Sequence, residues 1–164
     1  MTAWRRGEAT VTDKQDVAGG FSKQERAAMK ERAAELKEDA KRAKGAGKAS
    51  AEEADVLAKI AQMPVGDRAM AERLHAIVAN VAPGLSPKLY YGQPGYAKGG
   101  KVVVFFRSGQ MDKQRYSTFG VSVQASLDEP SGFWPTSFAL AEPTAKAWEQ
   151  LSDIVRRAAG TEQR

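Results

Sequence analysis

The chain has no cysteine, a single histidine, and no apolar run longer than Val102–Phe106. Without cysteine there is no disulfide, no thiolate nucleophile, and no zinc or iron–sulfur site built on sulfur. With one histidine, a metal site or a general base would have to draw its remaining groups from carboxylates. A five-residue apolar run falls far short of the roughly 20 residues that cross a bilayer as a helix. Met1–Gly7 has the positive charge of a leader but not the apolar stretch that follows in one. The expectation is a soluble, cytoplasmic protein with no membrane partner. Large apolar residues are also scarce before Ser50, where only Trp4, Phe21, Met29, Leu36 and scattered valines occur. A core must therefore come from the last two-thirds of the chain.

What is present suits one domain. The 164 residues are 42% hydrophobic, enough for a single packed core. The net charge of +5 is unevenly spread: 12 Lys/Arg stand against 8 Asp/Glu up to Ser50, so +4 of it precedes the domain. A nucleic-acid footprint, if any, is expected on this N-terminal arm and not on the nearly neutral domain.

Residues 1–21 are polar, without apolar period, and end in Gly19-Gly20; they read as a disordered tail. Residues 22–49 form a charged helix and a glycine linker. Ser22-Lys23-Gln24-Glu25 is a capping box, and the Ala/Glu/Lys/Arg run to Lys44 favours helix strongly. Its only sizeable apolar residues, Met29 and Leu36, share a face with Ala33 and Ala40. That stripe is too thin to anchor a core. Two readings stand for this helix: a solvated, partly frayed one, or one that orders on a partner or nucleic acid. Gly45–Ala49 reads as linker.

Residues 50–164 read as an α+β domain. A second capping box, Ser50-Ala51-Glu52-Glu53, opens a short helix with Val56, Leu57 and Ile60 inward. Met70, Leu74, Ile77, Val78 and Val81 mark the next helix, which ends at Pro83-Gly84. The period then shortens. Leu89-Tyr90-Tyr91 reads as a strand, Gly92-Gln93-Pro94-Gly95 as a turn, Tyr96-Ala97 as a strand and Lys98-Gly99-Gly100 as a hairpin loop. Lys101–Arg107 reads as a central strand. Arg115–Val123 reads as a half-buried one, with Phe119, Val121 and Val123 on one face. Phe138–Leu140 is a last strand, and Ala145–Ala159 a helix with Trp148, Leu151, Val155 and Ala158 on its stripe. Helices segregated from strands in this way predict a small antiparallel sheet with helices packed on one face.

No catalytic constellation emerges. Gly95–Lys101 has the glycine and lysine spacing of a phosphate loop, but Val102 stands where Ser or Thr would hold magnesium, and a strand follows instead of a helix. A hairpin turn accounts for it. His75 falls at the edge of an apolar stripe, with Glu72 at i−3, and reads as a boundary histidine. Glu52, Glu53 and Asp55 suit the first turn of a helix, and Asp128-Glu129 a loop. Either carboxylate group could hold a hard cation only loosely.

What remains is aromatic. Ten Tyr, Phe and Trp residues fall between Tyr90 and Phe138, and Phe133-Trp134-Pro135 lies in a loop. They fill the sheet core under a loop, or some of them line an open pocket for a small ligand or a protein segment. The candidate ligand-binding residues are Tyr91, Gln93, Pro94, Tyr96, Tyr116 and Trp134, in a non-enzymatic binding or adaptor module.

The segments Tyr91–Tyr96, Gly100–Phe106, Arg115–Gly120 and Trp134–Leu140, in that order, resemble the YdhG-like family, a bacterial group of domains. The resemblance runs from about Val56 to Gly160, with Gln93 and Gly95 standing where Met and Ala are usual. It implies a small α+β fold. Some relatives are described as intracellular iron chaperones, so it also implies iron as a possible cargo, held by no residue that can be carried over. No other cofactor is expected.

Overall fold

A chain whose apolar residues begin in earnest after Ser50 has to build its sheet from that segment, and it does. The computed structural model describes residues 22–42 and 47–160. The expected tail and the first two residues of the expected Gly45–Ala49 linker lie outside them, while Lys48 and Ala49 of that linker prove to be helical. The elements are α1 (Lys23–Arg42), α2 (Lys48–Ala61), α3 (Val65–Val81), β1 (Ser86–Tyr90), β2 (Gln93–Lys98), β3 (Lys101–Arg107), β4 (Ser117–Val121), β5 (Ser137–Leu140) and α4 (Ala145–Ala158). The strands form one antiparallel meander in the order β1-β2-β3-β4-β5. The architecture is α+β. No helix among the described residues is long and apolar enough to cross a membrane.

The register shows which face is core. Tyr96 pairs with Val104, Val104 with Val121, Phe106 with Phe119 and Phe119 with Phe138, so these side chains point to one side of the sheet. Against them pack Val56 and Ile60 of α2, Leu74 and Val78 of α3, and Leu151 and Val155 of α4, all nearly or fully buried. Each such side chain contributes about 1.5–3 kcal/mol by leaving water. The α4 stripe is buried as its period predicts, and Thr144 caps the helix by accepting the Ala147 N–H at 3.2 Å. Leu57 departs from expectation: it is 47% exposed, because only Val56 and Ile60 of that turn reach the sheet.

Three boundaries move. α2 starts at Lys48 with Gly47 as its cap, so Ser50–Glu53 lies inside the helix and caps nothing. Glycine is a nearly adequate cap, and the extra turn brings Lys48 within 3.9 Å of Glu52. The strand expected over Arg115–Val123 ends at Val121, leaving Val123 outside it and 95% exposed.

The third correction is the signature turn. It is not Gly92–Gly95 but Tyr91-Gly92, a two-residue hairpin with φ of +50° and +75° closed by the Tyr90–Gln93 pair. Positive φ at both positions is the hairpin geometry that matches strand twist. Gln93 and Pro94 are therefore strand residues and buried. Pro94 is tolerated because β2 pairs with β3 only from Gly95 onward, so no ladder bond to β3 needs its missing N–H. The Gly99-Gly100 hairpin is where the sequence places it, again with two positive φ values.

α1 lies along β1, the sheet edge. Its capping box forms as expected: Glu25 N–H donates to Ser22 Oγ at 3.1 Å, and Ser22 N–H to Glu25 Oε2 at 2.9 Å. The face that docks is not the apolar one. Met29 and Leu36 are each 52% exposed, while Arg32, Glu35 and Asp39 meet the hairpin. The Arg32 guanidinium lies 5.3 Å from the Tyr90 ring and 5.5 Å from the Tyr91 ring. Gly92 N–H donates to Glu35 Oε1, and Asp39 pairs with Lys88. Gly92 adopts φ +75°, which disfavours any side chain there, and a Cβ would in addition have to displace the flexible Glu31 carboxylate.

Candidate functional site

The connection between β3 and β4, residues 108–116, is held by polar groups taken out of water. Asp67, in the first turn of α3 and 5% exposed, accepts the Ser108 hydroxyl and the Gln110 N–H, the latter at 2.9 Å. The Ser108 hydroxyl accepts Met111 N–H at 3.3 Å, and Gly109 N–H donates to Ser117 Oγ at 3.0 Å. The Gln93 side-chain oxygen stands 3.5 Å from Ser108 N. Arg107 clasps Asp112 through Nε and Nη2. Buried polar groups rigidify a segment when each one finds a partner, and this loop is fixed in that way.

Its outgoing end presents Arg115 and Tyr116 to a cleft of about 700 Å³ between α3, the loop and the β5–α4 connection. Arg115 lies 4.9 Å from the centre of the Tyr116 ring. On the facing wall Arg73 of α3 lies 5.1 Å from the Trp148 ring of α4. Both guanidinium groups are exposed, and neither has a carboxylate partner among the described residues. Arg32, Arg107, Arg156 and Arg157, by contrast, are paired with Glu35, Asp112, Asp153 and Glu129. The Asp67 carboxylate at the cleft floor is already engaged by the loop. Sequence reasoning found Tyr116 but missed both arginines. Arg115 beside Tyr116 was legible in principle, whereas Arg73 meets Trp148 only once α3 and α4 have packed.

The other sequence-predicted residues go elsewhere. Tyr91 sits 38% exposed at the hairpin tip, edge-on to Tyr90 and under Arg32. Gln93 and Pro94 are buried beneath that hairpin. Trp134 lines a groove of about 580 Å³ on the outer sheet face with Tyr90 and Phe105. Phe105 lies over Gly120, where a Cβ would come within 2.2 Å of its ring. Tyr96 is 1% exposed in the core, and its hydroxyl is 3.1 Å from His75 Nδ1. His75 Nε2 in turn is 3.4 Å from Glu53, not from Glu72, the partner considered on spacing alone. Burial, with the Glu53 charge added, pushes the Tyr96 hydroxyl well above its ordinary range. That shift opposes its use as a nucleophile, so the array reads as a satisfied buried tyrosine.

A second, acidic cleft of about 470 Å³ separates α1 from α2 and β1, and Glu31, Glu35, Asp39 and Glu52 help to line it. Among the described residues no three His, Asp or Glu side chains converge as metal ligands. Lys88 lies between Asp39 and Glu52, 4.0 Å from the latter. Burial holds the Glu52 carboxyl above its ordinary value; the Asp39 charge adds to this, while Lys88 and Lys48 oppose it. Its Oε1 has no hydrogen-bond partner. A carboxyl raised in the folded state favours folding while protonated, and that contribution is lost as pH rises through the folded value. Glu52→Gln should therefore raise the unfolding free energy measured by urea titration at pH 7, by up to about 1 kcal/mol, and the gain should shrink towards pH 4. Equal gains at both pH values would contradict this assignment.

Comparison of the chain with protein-family models, with curated proteins and with solved structures found no match.

Proposed function

We propose that this protein is a non-enzymatic cytoplasmic binding module whose ligand is an anion held in the Arg73–Arg115 cleft. The observation that carries this reading is the pair of arginines without carboxylate partners, each laid on an aromatic ring, on the walls of one cavity. An arginine held against a ring has less rotamer freedom left to lose, and its N–H groups stay available as donors. Less entropy is then lost when a carboxylate or phosphate docks. Charge-assisted, two-pronged contacts of this kind are the strong class of hydrogen bond. The cavity volume lies within the range of ligand sites. The iron cargo that the resemblance to YdhG-like domains implies has no converging set of three ligands among the described residues to support it.

Thermal-shift screening with small phosphates, sulfates and carboxylates tests this reading. Anions that raise the Tm of the wild type should lose about tenfold or more in affinity in Arg73→Ala and again in Arg115→Ala, since a charge-assisted contact is worth about 1.5–3 kcal/mol. If every stabilising anion acts equally on the double variant, the cleft is not the site.

A further inference from the structure

We infer that the anion taken by this cleft is a nucleotide unit, bound by phosphate and base together; this rests on the anion reading above. The cleft offers more than positive charge. Arg73 lies 5.1 Å from the centre of the Trp148 ring and Arg115 4.9 Å from that of Tyr116, and both arginines are exposed, so a second flat group can reach them. Bases held out of a stack are recognised on aromatic rings and on guanidinium planes, and such stacking tolerates any base because every base has a π-face. Tyr116 itself is 39% exposed. Two exposed amides, Gln110 and Gln114, line the same cavity and carry both donors and acceptors, the combination that pairs with a base edge. The in-plane N–H forks of the arginines remain for the phosphate.

Charge agrees locally even though the domain as a whole is nearly neutral. Asp67 is consumed by Ser108 and Gln110, which leaves Glu142 as the one other carboxylate lining the cleft. Gly66, in the first turn of α3, also opens onto the cleft, adding the partial positive charge of a helix start. An acidic peptide would use the forks but leave both stacking faces empty. A free nucleotide and one nucleotide of a single strand present the same chemistry.

The test compares ligands on the wild-type chain and then on variants. Adenosine monophosphate, ribose 5-phosphate, hexaglutamate and a labelled ten-residue oligouridylate are titrated by calorimetry and fluorescence anisotropy. Adenosine monophosphate should bind about fivefold or more tighter than ribose 5-phosphate, the difference being base stacking. Tyr116→Ala should erase that difference, and Arg115→Ala should weaken both. Tight binding of the oligouridylate alone, lost in Arg115→Ala, supports the same chemistry with a strand as its source. Equal affinity for ribose 5-phosphate and adenosine monophosphate, with no binding of the oligouridylate, overturns the inference while leaving an anion site intact. So does hexaglutamate binding tighter than either nucleotide probe. Oligouridylate binding that survives Arg73→Ala/Arg115→Ala lies outside the cleft and overturns the inference as well. If no anion binds at all, this inference and the reading beneath it both fall.

Discussion

Asp67→Ala should cost about 3–4 kcal/mol and lower the Tm by about 10 °C, more than any other polar substitution in the domain. The carboxylate is 5% exposed and accepts both the Ser108 hydroxyl and the Gln110 N–H. A hydrogen bond to a charged group contributes about 1.5–3 kcal/mol, and a buried donor left without its acceptor carries its full desolvation cost. In Asp67→Ala two donors lose their acceptor at once, and Ser108 is wholly buried, so water cannot readily replace it. For a chain of this length 1 kcal/mol shifts Tm by a few degrees, about 3 °C. Both donors reach the same oxygen, Oδ2, so Asp67→Asn, whose one amide oxygen can take that place, keeps both bonds without the charge and should recover about half of the loss or more. In a cycle with Ser108→Ala the two effects should be clearly non-additive, because both substitutions remove the same bond. Urea and thermal unfolding of the four proteins measure this. A loss under about 0.5 kcal/mol for Asp67→Ala would mean that the loop does not depend on the carboxylate. A second consequence falls on the cleft: with the loop loosened, Arg115 and Tyr116 lose their fixed position, so anion affinity should fall along with stability.

That dependence also explains what the sequence could and could not disclose. The capping box at Ser22, the Gly99-Gly100 hairpin and the buried stripe of α4 are written in residues a few positions apart, where local geometry decides. The antiparallel α+β layout follows from the segregation of helix and strand periods. The Tyr91-Gly92 turn was hidden because Gly92–Gly95 offers glycine and proline at better-known turn positions. The outcome turns on a contact distant in sequence: Arg32 and Glu35 of α1 seat the hairpin with a tyrosine at positive φ. Thin apolar patterning likewise misdirected the reading of α1. Its docked face is charged: Arg32, Glu35 and Asp39 fall at i, i+3 and i+7, but in a helix that is charged all round that spacing singles out no face. The candidate site suffered most. Ten aromatic residues were visible as a group, but the sheet sends alternate residues to opposite faces, so Tyr96 enters the core while Phe105 faces the outer groove. Tyr116 alone of the six candidates reaches the cleft, and the arginines that give the cleft its chemistry depend on packing between α3 and α4.

The same loop has a steric limit that no polar partner can relieve. Gly109 follows the buried Ser108, and a Cβ placed on it would lie 2.1 Å from the Tyr116 carbonyl oxygen and 2.4 Å from its carbonyl carbon. Those are backbone atoms at the base of the loop, fixed by the Gly109 N–H bond to Ser117 Oγ and by Gln114 N–H donating to the Gly109 carbonyl at 2.7 Å. A flexible side chain could swing away from such a contact, as Phe105 could from a Cβ at Gly120; a backbone carbonyl moves only if the two strand ends separate. Overpacking ordinarily costs about 1–3 kcal/mol. Here the displaced group is main chain and the Asp67 bonds lie one residue away, so Gly109→Ala should cost about 3 kcal/mol or more. Gly84→Ala serves as the control: its Cβ meets nothing within 4 Å and its φ is not positive. That substitution should leave stability unchanged or raise it by about 0.4–1 kcal/mol, since alanine restricts the unfolded chain more than glycine does. Urea midpoints of the two variants beside the wild type decide the matter. Should Gly109→Ala unfold at the same midpoint as Gly84→Ala, the close approach of Gly109 to Tyr116 is not a constraint on the fold. If Gly109→Ala instead falls by the expected amount, β3 and β4 must stay closed at this point for Arg115 and Tyr116 to reach the cleft.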